Sequence, residues 1–159
     1  MADSVEASLR SYEKSLPIAL LRAREATMRR FKPHLDGYGM TVQQWRIIRA
    51  LADHGPLDAS RLSERCVILP PSLTRIFKTL TAKGLIEPIA DPDGRRHTVA
   101  LTASGRELYE TMAPTSEAIY KDLEAAFGPG DMEQLLDLLT RLRDVAHSLP
   151  ETSPAPNDD

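Results

Sequence analysis

The residues best suited to chemistry lie between 70 and 84, where Ser72, Thr74, Arg75, Lys78 and Thr79 stand among small and apolar neighbours. All five are hydroxyls or cations, and the stretch contains no carboxylate. Such a set suits hydrogen bonding to base edges and phosphates: Arg and Lys donate to guanine, and Ser and Thr bond to either group. Two more cations, Arg95 and Arg96, end the turn-rich run Asp91-Pro92-Asp93-Gly94-Arg95-Arg96. On a raised loop they are placed to enter a minor groove or grip phosphate. Bond-breaking chemistry has no comparable support. No Gly-x-Ser-x-Gly, P-loop or dinucleotide glycine pattern is present, so the expectation is a non-enzyme. His34, His54, His97 and His147 are scattered without metal-ligand spacing, and neither metal nor cofactor is expected. The single cysteine, Cys66, excludes an internal disulfide and reads as a small buried residue, with a redox-responsive role as the alternative.

The cationic set needs elements to present it. A first helix is expected over 12–36, with Leu21, Met28 and Leu35 seven apart and Phe31 beside them. Pro17 would sit in its first turn or mark a kink, and Gly37 and Gly39 end it. A second helix, 42–53, opens with a capping box of Thr41 and Gln44, and with Met40 and Trp45 as a hydrophobic staple. A third, 59–67, has Asp58 as its cap and Leu57 and Leu62 at the staple positions.

Prolines at 70 and 71 and Gly84 bracket a fourth helix. Its residues Leu73, Ile76, Phe77 and Leu80 share an arc of about 100°, and the hydroxyls and cations take the opposite one. Neither Leu69 nor Pro70 can cap it with a side-chain oxygen, so its free N–H groups are expected to face a phosphate. Segments 85–90 and 97–101 read as a hairpin, with Pro88 demoting its strand to an edge.

A fifth helix, capped by Thr102 or by a Ser104–Glu107 capping box, would run to about Phe127 with a kink at Pro114. After Gly128-Pro129-Gly130, Asp131 would cap a sixth helix reaching Leu149. There Met132, Leu135, Leu139, Leu142, Ala146 and Leu149 form a heptad seam.

A length of 159 residues suits one compact domain, and 42% hydrophobic with 27% charged residues is a globular composition. No apolar run reaches the roughly 18 residues of a membrane span, and residues 1–6 lack the form of a secretory signal. A cytoplasmic protein is expected. The net charge of −3 argues against a nucleic-acid partner until the charges are located. Residues 1–103 carry 16 Lys and Arg against 11 Asp and Glu, whereas residues 104–159 carry 4 against 12. Such asymmetry marks one side of a molecule for a polyanion. Residues 1–8 and 150–159 read as tails, the latter disordered, with three prolines and no large apolar side chain.

Two capped helices, a cationic helix and a basic hairpin, in that order, make a winged helix-turn-helix pattern. The sequence resembles the MarR family of winged-helix transcription regulators. The resemblance rests on Thr41 to Leu51, Pro71-Ser72-Leu73-Thr74-Arg75, Leu80 to Ile86, and the run from Asp91 through Gly105. Within the family, residues 15–26 resemble the homoprotocatechuate-degradation regulators. Many relatives place Asp directly before the wing arginines, where this chain has Gly94.

The resemblance implies a mainly α fold with a small β-hairpin wing. The winged helix-turn-helix lobe would occupy 37–103, with dimerisation helices at 9–36 and 104–149. It implies a homodimer, with Leu135, Leu139, Leu142 and Leu149 in the interface, that binds double-stranded DNA at a pseudo-palindromic operator. It further implies a repressor released by a small aromatic carboxylate, controlling aromatic-catabolism or stress genes. A cation beside an aromatic suits such a ligand, which singles out Arg22, Trp45 and Arg46, with Arg24, Ser15 and His34 behind them. A winged helix used for protein–protein contacts is the other reading of the same pattern.

Overall fold

The computed structural model describes residues 10–90 and 97–151. The wing arginines Arg95 and Arg96, the N-terminal tail 1–8 and all but the start of the C-terminal tail 150–159 lie outside the described residues.

A 3-10 turn, Tyr12–Lys14, precedes α1 (Leu16–Gly37). The helix therefore starts four residues later than the periodicity suggests. Pro17 stands in its first turn, where a missing N–H leaves no bond unmade. The chain continues through α2 (Val42–His54), β1 (Leu57–Asp58), α3 (Ala59–Cys66) and α4 (Pro70–Ala82). It then forms β2 (Ile86–Ile89), β3 (Thr98–Leu101), α5 (Ala103–Phe127) and α6 (Pro129–Ser148). The fold is mainly α with a small wing. Residues up to Glu117 pack as one compact unit and those from Ala118 as a second, so the boundary falls inside α5.

The first unit closes a core. Leu35, Trp45, Ile47, Ile48, Leu51, Leu62, Leu73, Leu80, Ile86 and Met112 are buried together, drawn from α1 to α5 and β2. The local start signals work as the sequence indicates. The Gln44 N–H donates to Thr41 Oγ1 (3.1 Å) while the Thr41 N–H donates to Gln44 Oε1 (3.1 Å), and the Arg61 N–H donates to Asp58 Oδ1 (2.9 Å). Met40, Trp45, Leu57 and Leu62 are all buried.

Among the described residues the sheet has three strands, not two. Its order is β1-β3-β2, all antiparallel, with Leu57 opposite Val99 and Pro88 also opposite Val99 from the other side. Pro88 thus lies on an edge strand, where its missing donor costs no ladder bond. Strand β1 is only two residues long, too short for any alternation to show.

Of the two caps the sequence offers for α5, Thr102 is the one used, and Ser104 lies inside the helix. Thr102 Oγ1 accepts from the Gly105 N–H (3.0 Å) and donates to the Gly84 carbonyl (2.6 Å), tying the helix start to the end of α4. Gly105 is required there, since a Cβ would press into the Leu85 carbonyl. The α6 helix starts at Pro129 behind Gly128, and Asp131 sits in its first turn instead of capping it. There its carboxylate complements the positive end of the helix dipole. The α5 helix continues through Pro114 as one element.

In the second unit, α6 buries no residue at all. Leu135, Leu136, Leu138, Val145 and Leu149 are exposed, and Met132, Leu139 and Leu142 are half-buried.

Candidate nucleic-acid interface

Leu73, Ile76 and Leu80 anchor α4 in the core, with Phe77 half-buried beside them. That anchoring turns the other arc outward. Thr74, Arg75 and Lys78 are exposed, and Ser72 and Thr79 are half-buried. Arg75 and Lys78 make no ion pair among the described residues, which leaves both charges available. The hydroxyl protons are already engaged: Thr74 Oγ1 donates to the Pro70 carbonyl and Thr79 Oγ1 to the Arg75 carbonyl, each at 3.2 Å. Their oxygens remain acceptors.

The start of α4 corrects one expectation. Leu69 caps without a side-chain bond, as anticipated, but the next two residues are Pro70 and Pro71. Proline carries no N–H, so two of the helix's four orphan donors are absent. The Leu73 N–H already reaches the Leu69 carbonyl (3.0 Å), leaving Ser72 as the remaining first-turn donor. A phosphate grip by the helix end is correspondingly reduced, and the side chains carry the face.

Between α3, α4 and the sheet lies an open cavity of about 980 Å³. Thr74 and Lys78 line it from α4, Ser60 and Ser63 from α3, Ile89 from β2, and His97 from just before β3.

The expected acid-binding residues have separate partners. Arg22 pairs with Glu13 (2.5 Å) and lies over the Tyr12 ring, 5.5 Å from its centroid. Trp45 is buried and stacked on Tyr109, with centroids 5.9 Å apart. Arg46 Nη1 donates to the Cys66 carbonyl. Burial, and after it the charge of Arg24, lowers the Arg46 pKa below the ordinary guanidinium value. A 410 Å³ cavity beside α1 is lined by Arg24, Met28, Arg29 and Lys32, and its lining does not include Arg22, Trp45 or Arg46. Ser15 is half-buried at the N-cap of α1. His34 Nε2 lies 3.1 Å from both the Met112 carbonyl and Ser116 Oγ, which ties α1 to α5.

Cys66 is buried, and burial raises its thiol pKa, against the smaller opposing effect of Arg46 and Arg65. Among the described residues no group of three or more His, Cys, Asp and Glu is placed to hold a metal ion, and no helix is long and apolar enough to cross a membrane.

A winged helix-turn-helix with this outer face can be compared with known proteins. The MarR family model matches residues 38–97. Over 147 residues the chain is 39% identical to the homoprotocatechuate degradative operon repressor of Escherichia coli, covering 91% of this chain and 98% of that protein. The chain belongs to the MarR family. Another relative, the HTH-type transcriptional regulator FarR of Neisseria gonorrhoeae, is 39% identical over 87% of this chain and 96% of its own length. Among MarR-type structures, NadR in complex with 4-hydroxyphenylacetate superposes with a TM-score of 0.78 at 40% identity, covering 86% of this chain and all of that one. These relatives are transcriptional regulators, and this chain is a transcriptional regulator of the MarR type.

Sequence reasoning did not find the bond from Arg46 to the Cys66 carbonyl, nor that from Lys83 Nζ to the Gly39 carbonyl (2.9 Å). Both join a side chain to a backbone oxygen 20 or 44 residues away, and a carbonyl leaves no mark on residue type.

Proposed function

We propose that this protein is a homodimeric, sequence-specific DNA-binding repressor that leaves its operator when a small aromatic acid binds. The outer face of α4 carries the reading: exposed Arg75, Lys78 and Thr74, flanked by Ser72 and Thr79, with no carboxylate between Pro70 and Lys83. Such a helix fits a major groove about 12 Å wide, with Arg75 and Lys78 donating to guanine or phosphate and the hydroxyl oxygens accepting from bases. Arg95 and Arg96 reach an adjacent minor groove or phosphate. Segment 37–103 is the DNA-binding lobe, and 9–36 and 104–149 are the dimerisation segments.

The dimer reading is supported by α6, which carries Leu135, Leu139 and Leu142, ends at its C-cap Leu149 and holds no buried residue. A two-fold dimer reads a pseudo-palindrome with half-sites about 10–10.5 bp apart. The effector reading is supported by NadR, solved with 4-hydroxyphenylacetate, and by the relative that represses a homoprotocatechuate degradative operon. Arg22 and Arg46 supply positive charge for a carboxylate, and Trp45 an aromatic wall. Aromatic-catabolism or stress genes are the targets, in the cytoplasm.

Calorimetric titration with 4-hydroxyphenylacetate and with benzoate tests the effector, on wild type and on Arg22→Ala. The expected result is saturable binding that weakens about 10-fold in the variant, in line with loss of one charge-assisted hydrogen bond. Absence of binding by wild type removes the aromatic acid from the account, and equal binding by both removes Arg22.

A further inference from the structure

One residue on the outer arc of α4 is neither a hydroxyl nor a cation. With successive residues about 100° apart, Pro71 shares a line with Arg75 and Lys78, opposite Leu73, Ile76 and Leu80. It is exposed, as are Thr74, Arg75 and Lys78 beside it. The line therefore begins with an apolar ring and continues with two cations.

Helix initiation does not account for that ring. Leu69 is the N-cap, so Pro70 holds the first helical position, where proline is preorganised and its missing N–H costs nothing. Pro71 comes second and adds no further start signal. Its effect is to remove one more donor from the reading face and to set methylene groups there instead.

Methylenes restrict what Pro71 matches in a major groove. Guanine, adenine and cytosine present only hydrogen-bonding groups there, whereas thymine adds a C5-methyl group beside its O4. Over a donor or acceptor the ring displaces water and returns no hydrogen bond, which leaves a base group unpaired. Over the methyl group it buries apolar surface on both sides. Attraction and exclusion then select the same base.

We propose that Pro71 is a specificity-determining residue whose ring reads one thymine methyl group in each half-site. This rests on the DNA-binding reading of α4 above. Arg75 lies four residues on, about 6 Å along the helix axis at a rise of about 1.5 Å per residue. At about 3.4 Å per base pair, the thymine therefore lies within about two base pairs of the base that Arg75 contacts. Pro71 and Arg75 read a methyl group and a neighbouring hydrogen-bonding edge as a pair. Thr74 also carries a methyl group, but it stands to one side of the line, with its Oγ1 donating to the Pro70 carbonyl (3.2 Å).

The test uses fluorescence anisotropy on a duplex recovered by selection from random sequence. Thymines are replaced in turn by deoxyuridine, which keeps every hydrogen-bonding group and removes only the methyl. At one position wild type should lose affinity by about fourfold for one half-site and about 15-fold for both. Pro71→Ser should bind the unmodified duplex about 15-fold more weakly and ignore that methyl. With cytosine at the same position, 5-methylcytosine should restore about fourfold per half-site to wild type and nothing to Pro71→Ser. Thermal midpoint and affinity for random-sequence DNA should match wild type, which separates a lost contact from an unfolded lobe.

Wild type that is indifferent to every thymine methyl overturns the proposal, and this scan needs no variant to fold. A methyl effect of the same size in Pro71→Ser overturns it too. Loss of the effect in Thr74→Ser, with Pro71→Ser still responsive, gives the contact to the threonine and likewise overturns it. Failure of wild type to select any duplex overturns the DNA-binding reading itself, whereas selection without methyl dependence overturns the role of Pro71 alone.

Discussion

The unit ending at Glu117 and the unit beginning at Ala118 solve the problem of apolar surface differently. The first gathers side chains from five helices and the sheet into a core in which Ile47, Ile48, Leu62 and Leu80 are fully buried. The second carries α6, which is comparably rich in leucine and buries none of it. Their charges differ in the same sense. The basic excess lies before residue 104 and the acidic excess after it, so a net charge of −3 hides a cationic region. A region that completes its own core can devote its surface to a ligand, whereas one that leaves a seam open fits the reliance on a partner copy proposed above.

The largest expected effect comes from breaking that reliance. Leu135→Asp combined with Leu139→Asp should give monomers in sedimentation and leave the stability of the first unit intact. Operator affinity should fall by about 100-fold or more, because a tethered second half-site contributes on that scale. A doubly substituted protein that stays dimeric places the interface elsewhere.

Arg75→Ala sharpens the other side of the comparison. Loss of a base contact of this type costs about 1–3 kcal/mol and relaxes preference at one operator position, with the dimer unchanged. Uniform weakening on every sequence would make Arg75 a phosphate contact instead.

Gly105→Ala probes how tightly the first unit is closed. The added methyl meets the Leu85 backbone, so about 1–3 kcal/mol of stability should be lost and the thermal midpoint lowered. An unchanged midpoint would show that α5 can shift at no cost.

The smallest effect concerns Cys66. Its folded pKa is raised, so its contribution to stability is complete below the ordinary thiol range and is lost as pH rises through the raised value. Cys66→Ala should flatten that alkaline decline in denaturant titrations. A buried, protonated thiol is a poor nucleophile, which argues against a redox role. Fast alkylation of the native protein at neutral pH would reverse that conclusion.

Much of this architecture was legible because its signals are local. Thr41 with Gln44, Asp58, and the apolar arc of Leu73, Ile76 and Leu80 each declare an element within a few residues. Strand β1 was not legible, since two residues carry no period and pair only because β3 returns beside them. Ser104 and Thr102 offer equally good caps, and the choice fell to Thr102 because its hydroxyl also reaches Gly84 across the start of the wing. The cationic face of α4 could be read from residue types alone. The role of Pro70 and Pro71 in removing donors could also have been read there, from the chemistry of proline. The partners of Arg22, Trp45 and Arg46 could not, because Glu13, Tyr109 and a backbone carbonyl are brought to them only by folding.

Selection from random duplexes followed by salt titration shows whether a two-fold protein presents α4 to DNA. An inverted repeat with half-sites about one helical turn apart should be enriched. Affinity should fall steeply with salt, with a slope reduced by about one for each Lys78→Ala substitution on the bound face. No enriched sequence, or binding indifferent to salt and to Lys78, would contradict that arrangement.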